Sequence, residues 1–112
     1  MKVLCGERTL IEKVVVAKKF AARLQGLMFK KQMPTDEGFF IPDCNWVHTF
    51  FMRFPIDVVY LDTENKILHI DHSVDPWRFC APRFKASHAL ELCSGVAETL
   101  GFKEGEILKC IS

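Results

Sequence analysis

The stretch Thr49–Asp62, TFFMRFPIDVVYLD, decides how this chain folds. It is almost continuously apolar, and Trp46 and Val47 extend it on the N-terminal side. Its β-branched and aromatic residues fit a pleated, half-buried surface. Pro55 cannot donate to a central ladder and therefore divides the run. Two strands are expected, about Trp46–Arg53 and Ile56–Leu61, in the core of a mainly β protein.

The flanks supply the partners. On the C-terminal side, Asp62–Lys66 (DTENK) is a hairpin-like turn, with Asn65 suited to the left-handed conformation. Ile67–His72 is the returning strand. Val74–Lys85 reads as irregular, interrupted by Pro76 and Pro82 and carrying Trp77 and Phe79. Ser87–Cys93 (SHALELC) alternates with period two, so Leu90 and Leu92 share one face and Ala89 and Glu91 the other. Ser94 is the expected N-cap of a helix Gly95–Leu100, closed by Gly101, and Glu106–Ile111 makes a last strand.

On the N-terminal side, Gly38–Ile41 is a short apolar strand between the turns Thr35–Gly38 and Pro42–Asn45. Leu10–Val16 (LIEKVVV) reads as a strand. After it the period changes. Ala17, Phe20, Ala21, Leu24, Leu27 and Met28 recur at helical spacing, opposite Lys18, Lys19 and Arg23. That is a helix of about three turns, ended near Gly26.

Several short strands with little room for helical crossovers predict a mainly β fold. The expected form is a compact antiparallel sandwich or barrel, with one or two short helices packed against it. The 112 residues make a single domain, 1–112, large enough to fold without disulfides or a structural metal.

Charge and cysteines narrow the function classes. A net charge of +1 with mixed signs offers no basic footprint for phosphates, so nucleic acid is not an expected partner. The basic group Lys18, Lys19, Arg23, Lys30 and Lys31 reads as a solvated helix face. No apolar run approaches the length of a membrane span, and Met1–Gly6 is too short for a secretory signal. A cytoplasmic protein with no membrane partner is the expectation. Cys5, Cys44, Cys80, Cys93 and Cys110 form no C-x-x-C pair and are expected to stay reduced.

Three motifs carry a family resemblance. The first is Arg23–Phe29 (RLQGLMF). The second runs His48-Thr49, Met52, Pro55–Val59 and Leu61-Asp62. The third is Leu90–Leu92 with Gly95, Gly101 and Gly105–Ile107. In this order they resemble a bacterial and archaeal family of unassigned function, number one hundred and ninety-two in the domain-of-unknown-function series. The likeness covers roughly residues 8–111. It implies a compact, mainly β domain with the Arg23 helix packed on it, and no reaction. His48 stands where the family often has Asn, and the signal sequence that some relatives carry is not expected here.

Asp57 is the residue most at odds with its surroundings. Period two places it on the face of Val59 and Leu61, where an unpaired carboxylate would cost several kcal/mol. Arg53 is the nearest candidate partner in sequence. Asp57 is therefore either half of a register-fixing ion pair or a ligand-facing carboxylate at the rim of the sheet. His48 and Thr49 either close a strand end with hydrogen bonds or line a pocket. Glu91 faces solvent in a one-sided sheet. In a sheet covered on both sides it turns inward and needs a cation such as Arg53 or Arg23. His69, Asp71 and His72 cannot converge on a metal from one strand, because His72 points away from the other two. No G-x-S-x-G, phosphate-cradling glycine loop or H-E-x-x-H occurs, and no cofactor or metal is expected.

The reading that best fits is a small binding or accessory module for an unidentified small molecule or protein. Its shallow cleft would be lined by Trp46, Phe50, Phe51 and Trp77, with His48, Thr49, Arg53, Asp57 and Glu91 as polar points. One alternative is a small hydrolase-like enzyme using Asp57 and Glu91 with His48. Another is a structural protein pairing through a sheet edge.

Overall fold

The computed structural model describes residues 2–5, 8–11, 13–16 and 33–111. The helix expected over Ala17–Met28 lies outside them, as do Arg23 and the RLQGLMF motif. The described residues form eight strands and one short helix. The strands are β1 (Lys2–Cys5), β2 (Arg8–Ile11), β3 (Lys13–Val16), β4 (Glu37–Pro42), β5 (Ile56–Leu61), β6 (Ile67–Val74), β7 (His88–Cys93) and β8 (Lys109–Ile111). The helix α1 is Val96–Thr99.

Two sheets result. One has three strands in the order β2-β1-β8, and the other has five in the order β3-β4-β7-β5-β6. The mainly β expectation holds, and the larger sheet is open rather than closed into a barrel. It is also mixed. β3 runs parallel to β4, with Lys13 opposite Glu37 and Val16 opposite Phe40, whereas the other neighbours are antiparallel. The single strand expected over Leu10–Val16 is two, because Ile11 ends a strand of one sheet and Lys13 begins a strand of the other.

The five-stranded sheet is covered on both faces, which explains the near absence of alternation in β5. All six of its residues are buried. Ile56, Val58 and Tyr60 enter one core with Phe39, Ile41, Val47, Met52 and Phe54. Val59 and Leu61 enter a second core with Ile11, Leu90, Leu92, Val96 and Leu108. Burial of each large aliphatic side chain is worth roughly 1.5–3 kcal/mol, so β5 anchors both layers. Gly38 lets β4 close on β7: a Cβ there would lie 3.0 Å from Leu92 Cδ2 and 3.3 Å from the Glu91 carbonyl oxygen.

The strand expected over Trp46–Arg53 does not form. Only His48 makes a bridge, antiparallel to Phe79. The segment pairs with the loop after β6 instead of joining a sheet. Cys80 N–H donates to the Val47 carbonyl (2.9 Å), Thr49 N–H to Arg78 (2.9 Å) and Trp77 N–H to Thr49 (2.9 Å). The Met52 N–H then closes a turn onto the Thr49 carbonyl at 3.2 Å, and Phe51 takes φ 67°. A bulky side chain at positive φ is unfavourable in a strand, so the run breaks here and not only at Pro55.

Other expectations are met closely. Asn65 has φ 62°, and the Asp62 carboxylate accepts the Glu64 and Lys66 amides at 2.8 and 2.9 Å. Gly101 closes α1 at φ 72°. Ser94 is not its N-cap. Gly95 occupies that position, and the Ser94 hydroxyl meets the Ser73 hydroxyl at 2.6 Å.

Candidate functional site

The two paired loops carry a continuous line of rings. Phe79 meets Trp46 at 5.4 Å between centroids, Trp46 meets His48 at 6.0 Å, and His48 stacks on Phe50 at 4.8 Å. Phe50 then meets Trp77 at 6.2 Å, and Trp77 meets Phe51 at 4.7 Å. The five aromatic residues are exposed, Phe51, Trp77 and Phe79 by more than half. His48 is the buried member of the line. Its Nδ1 accepts the Phe50 N–H at 3.3 Å, which leaves the ring proton on Nε2.

Thr49 fixes this surface from below. It is fully buried. Its hydroxyl donates to the Asp75 carbonyl (2.6 Å) and accepts the Arg78 N–H (2.9 Å), while its own amide and carbonyl bind Arg78 and Trp77. One side chain and one peptide unit thus tie the two loops together. The tie comes with backbone strain, since Phe51 and Trp77 have φ of 67° and 64°. Left-handed backbone at such residues costs of order 1–2 kcal/mol each and persists only where the surroundings impose it. Both strained residues are exposed aromatics in contact with each other.

The structure gathers Trp46, His48, Thr49 and Trp77 as the sequence suggests, and Arg53 is exposed just beyond Phe51 and Met52. Asp57 lies elsewhere. It is fully buried on the other face of the sheet, where Oδ1 accepts the Ser73 N–H (2.8 Å) and Oδ2 the Ala97 N–H (3.0 Å). Its partners are therefore two backbone amides and not Arg53. Asp57 docks the first turn of α1 on β5, where the helix dipole also favours a carboxylate. It is also close enough to Cys93 that its charge, after burial, pushes that thiol up from its ordinary value.

Glu91 is fully buried too, but opposite Val58, whereas Asp57 stands opposite Leu92. Directly opposed residues share a face, so the two carboxylates point to opposite sides of the sheet. They do not form one acid–base pair. Phe79, the last ring of the line, lies outside the cleft lining that the sequence suggests. The only sequence signal for it was its spacing from Trp77.

Fold and site together define a class: a small mixed-sheet β domain whose paired loops display an aromatic surface. The chain belongs to the DUF192 family, described as an uncharacterised ACR, whose model matches residues 3–110. It is 32% identical over 114 residues to a UPF0127 protein of Pyrococcus furiosus, covering 97% of this chain and 95% of that one. A UPF0127 protein of Pyrococcus horikoshii is also 32% identical, over 86% of this chain and 85% of its own length. A relative from Thermococcus kodakarensis is longer: at 30% identity the match takes 86% of this chain but 63% of that protein. Among solved structures, a protein of unknown function from Novosphingobium aromaticivorans superposes with a TM-score of 0.81 at 21% identity, covering 97% of this chain and 82% of that one. A candidate transcription regulator from Sinorhizobium meliloti gives 0.79 at 22% identity, over 96% and 89% of the two chains. Both likenesses carry the fold alone.

Proposed function

We propose that this chain is a binding module whose ligand lies on the surface formed by Trp46, Phe50, Phe51, Trp77 and Phe79. The carrying observation is that two of these exposed rings are held at positive φ by a buried threonine staple. Strain that serves only to turn apolar rings toward water has no benefit to the isolated fold. A contiguous exposed apolar patch on a small domain marks an interaction surface. The surface offers flat apolar faces, with the exposed Arg53 and Arg78 beside them in sequence, which suits a small molecule or a protein segment with an apolar face. We place this activity in the cytoplasm, supported by the free thiol at Cys93. Among the described residues, no helix is long and apolar enough to cross a membrane. The hydrolase-like alternative loses its support with the opposite facing of Asp57 and Glu91. No observation favours pairing through a sheet edge.

The two tryptophans of the chain both lie on this surface, so intrinsic fluorescence reads it directly. The test is to pan the full chain against displayed peptides and immobilised oligosaccharides, with a Phe51→Asn/Trp77→Asn variant as counter-selection. Asparagine tolerates positive φ, so the variant keeps the loop and removes the rings. Binders are expected to shift tryptophan emission saturably and to ignore the variant. Binders that hold the variant as tightly as the parent would sink the proposal.

A further inference from the structure

A concave site lies apart from the aromatic line, between the start of β6 and the loop 82–86. It is a groove of about 460 Å³, within the range of about 300–1,000 Å³ usual for small-molecule sites. Leu68, Pro82 and Ala86 supply its apolar lining, and Leu68 and Ala86 pack on the core beneath. Phe84 forms part of the wall and is 87% exposed, the most exposed large apolar side chain among the described residues. The remaining lining residues are His69, Arg83 and Lys85. The lining thus holds two cations and no carboxylate.

The polar groups are ordered from behind. Asp71 accepts His69 Nε2 at 2.7 Å and the Arg83 guanidinium at 3.3 Å, so one carboxylate positions both. Arg83 lies over the Tyr60 ring at 5.9 Å, and His69 is 6.1 Å from the same ring. The Tyr60 hydroxyl is buried beside Asp71 and Cys80. Burial, with the charges of Cys80 and Asp71 nearby, pushes that phenol far above its ordinary value, so it is a neutral O–H. Glu104 approaches the other side of His69, its carboxylate 3.6 Å from Nδ1, but does not line the groove. Asp71 offsets Arg83. Lys85, exposed and without an ion pair among the described residues, is the uncompensated charge.

We propose that this groove binds a small amphipathic carboxylate, its apolar body between Phe84 and the Leu68–Pro82 floor and its carboxylate at Lys85 and Arg83. The single uncompensated cation matches a monoanion better than a dianionic phosphate. The apolar floor and the bare Phe84 ring require a ligand with a hydrophobic body, and a bare inorganic anion would leave both in water. The proposal is independent of the aromatic surface and shares no residue with it.

The experiment is a ¹H–¹⁵N NMR titration of the full chain with phenylacetate, with phenylacetamide as its neutral twin and phenyl phosphate as the dianion. Phenylacetate is expected to shift the amides of residues 68–69 and 82–86 saturably in the millimolar range. Phenylacetamide and the Lys85→Met variant should each bind about tenfold more weakly, while Lys85→Arg keeps binding. Phe84→Ser should also weaken binding, which ties the apolar body to this wall. Both side chains are exposed, so unchanged shifts elsewhere verify the fold. Equal binding by phenylacetamide, tighter binding by phenyl phosphate, indifference to Lys85→Met, or no saturable shift with phenylacetate would each overturn the assignment.

Discussion

Asp57 and Ala97, 40 positions apart, are joined by a hydrogen bond of 3.0 Å from the Ala97 amide to a wholly buried carboxylate. The second oxygen takes the Ser73 amide at 2.8 Å. The carboxylate therefore holds α1 and the bulged end of β6 against β5. Asp57→Asn keeps the shape but presents an NH₂ group to one of two N–H donors. A loss of about 2–4 kcal/mol is expected in urea unfolding, with faster hydrogen exchange at Ser73 and Ala97. The titration response of the 82–86 groove to phenylacetate should survive in the folded variant.

Thr49→Val tests the staple. The replacement is nearly isosteric and removes the acceptor of the Arg78 N–H and the donor to the Asp75 carbonyl. A loss of about 1–3 kcal/mol is expected. The tryptophan emission should also move to the red as the loops separate. An unchanged spectrum would mean that the rings are positioned by their own packing.

Phe51→Asn separates strain from surface. Phe51 is exposed at φ 67°, so asparagine relieves the backbone and removes little buried area. Stability is expected to change by less than about 1 kcal/mol in either direction. Ligand binding at the aromatic surface should fall sharply, in contrast to Thr49→Val, which lowers both.

Asp62 supplies an acid-side dependence. The Lys66 amide, more than the Glu64 amide, holds its carboxyl below the ordinary value of 3.8. A depressed folded-state value contributes stability that is present above 3.8 and lost as the pH falls through the folded-state value. Asp62→Asn can still accept these amides and does not titrate. Its unfolding free energy should therefore show a shallower fall below about pH 4 than the parent's.

Much of the framework could be read from local pattern. Ile56–Leu61 is legible to the residue, because β-branching and the following DTENK turn are properties of neighbours in sequence. The odd position of Asp57 was visible for the same reason: one charge in an apolar run. Its partner was not, since the donors are backbone amides brought in by the tertiary fold, and backbone amides leave no mark in a sequence. Arg53 looked suitable only because it was near along the chain.

The aromatic run 46–53 marks the limit more sharply. Composition alone makes it a strand, and only its pairing with 77–80 turns it into a strained loop. The opening stretch TFFMRFPIDVVYLD thus divides into two fates. The sequence by itself determined that it would be core-forming, split near Pro55, and burdened with one carboxylate. The tertiary structure decided that its first part would face outward as a ring surface and that Asp57 and Glu91 would face opposite sides. The physical reason is that apolarity and period are local properties. Exposure, by contrast, depends on which distant segment arrives to cover each face.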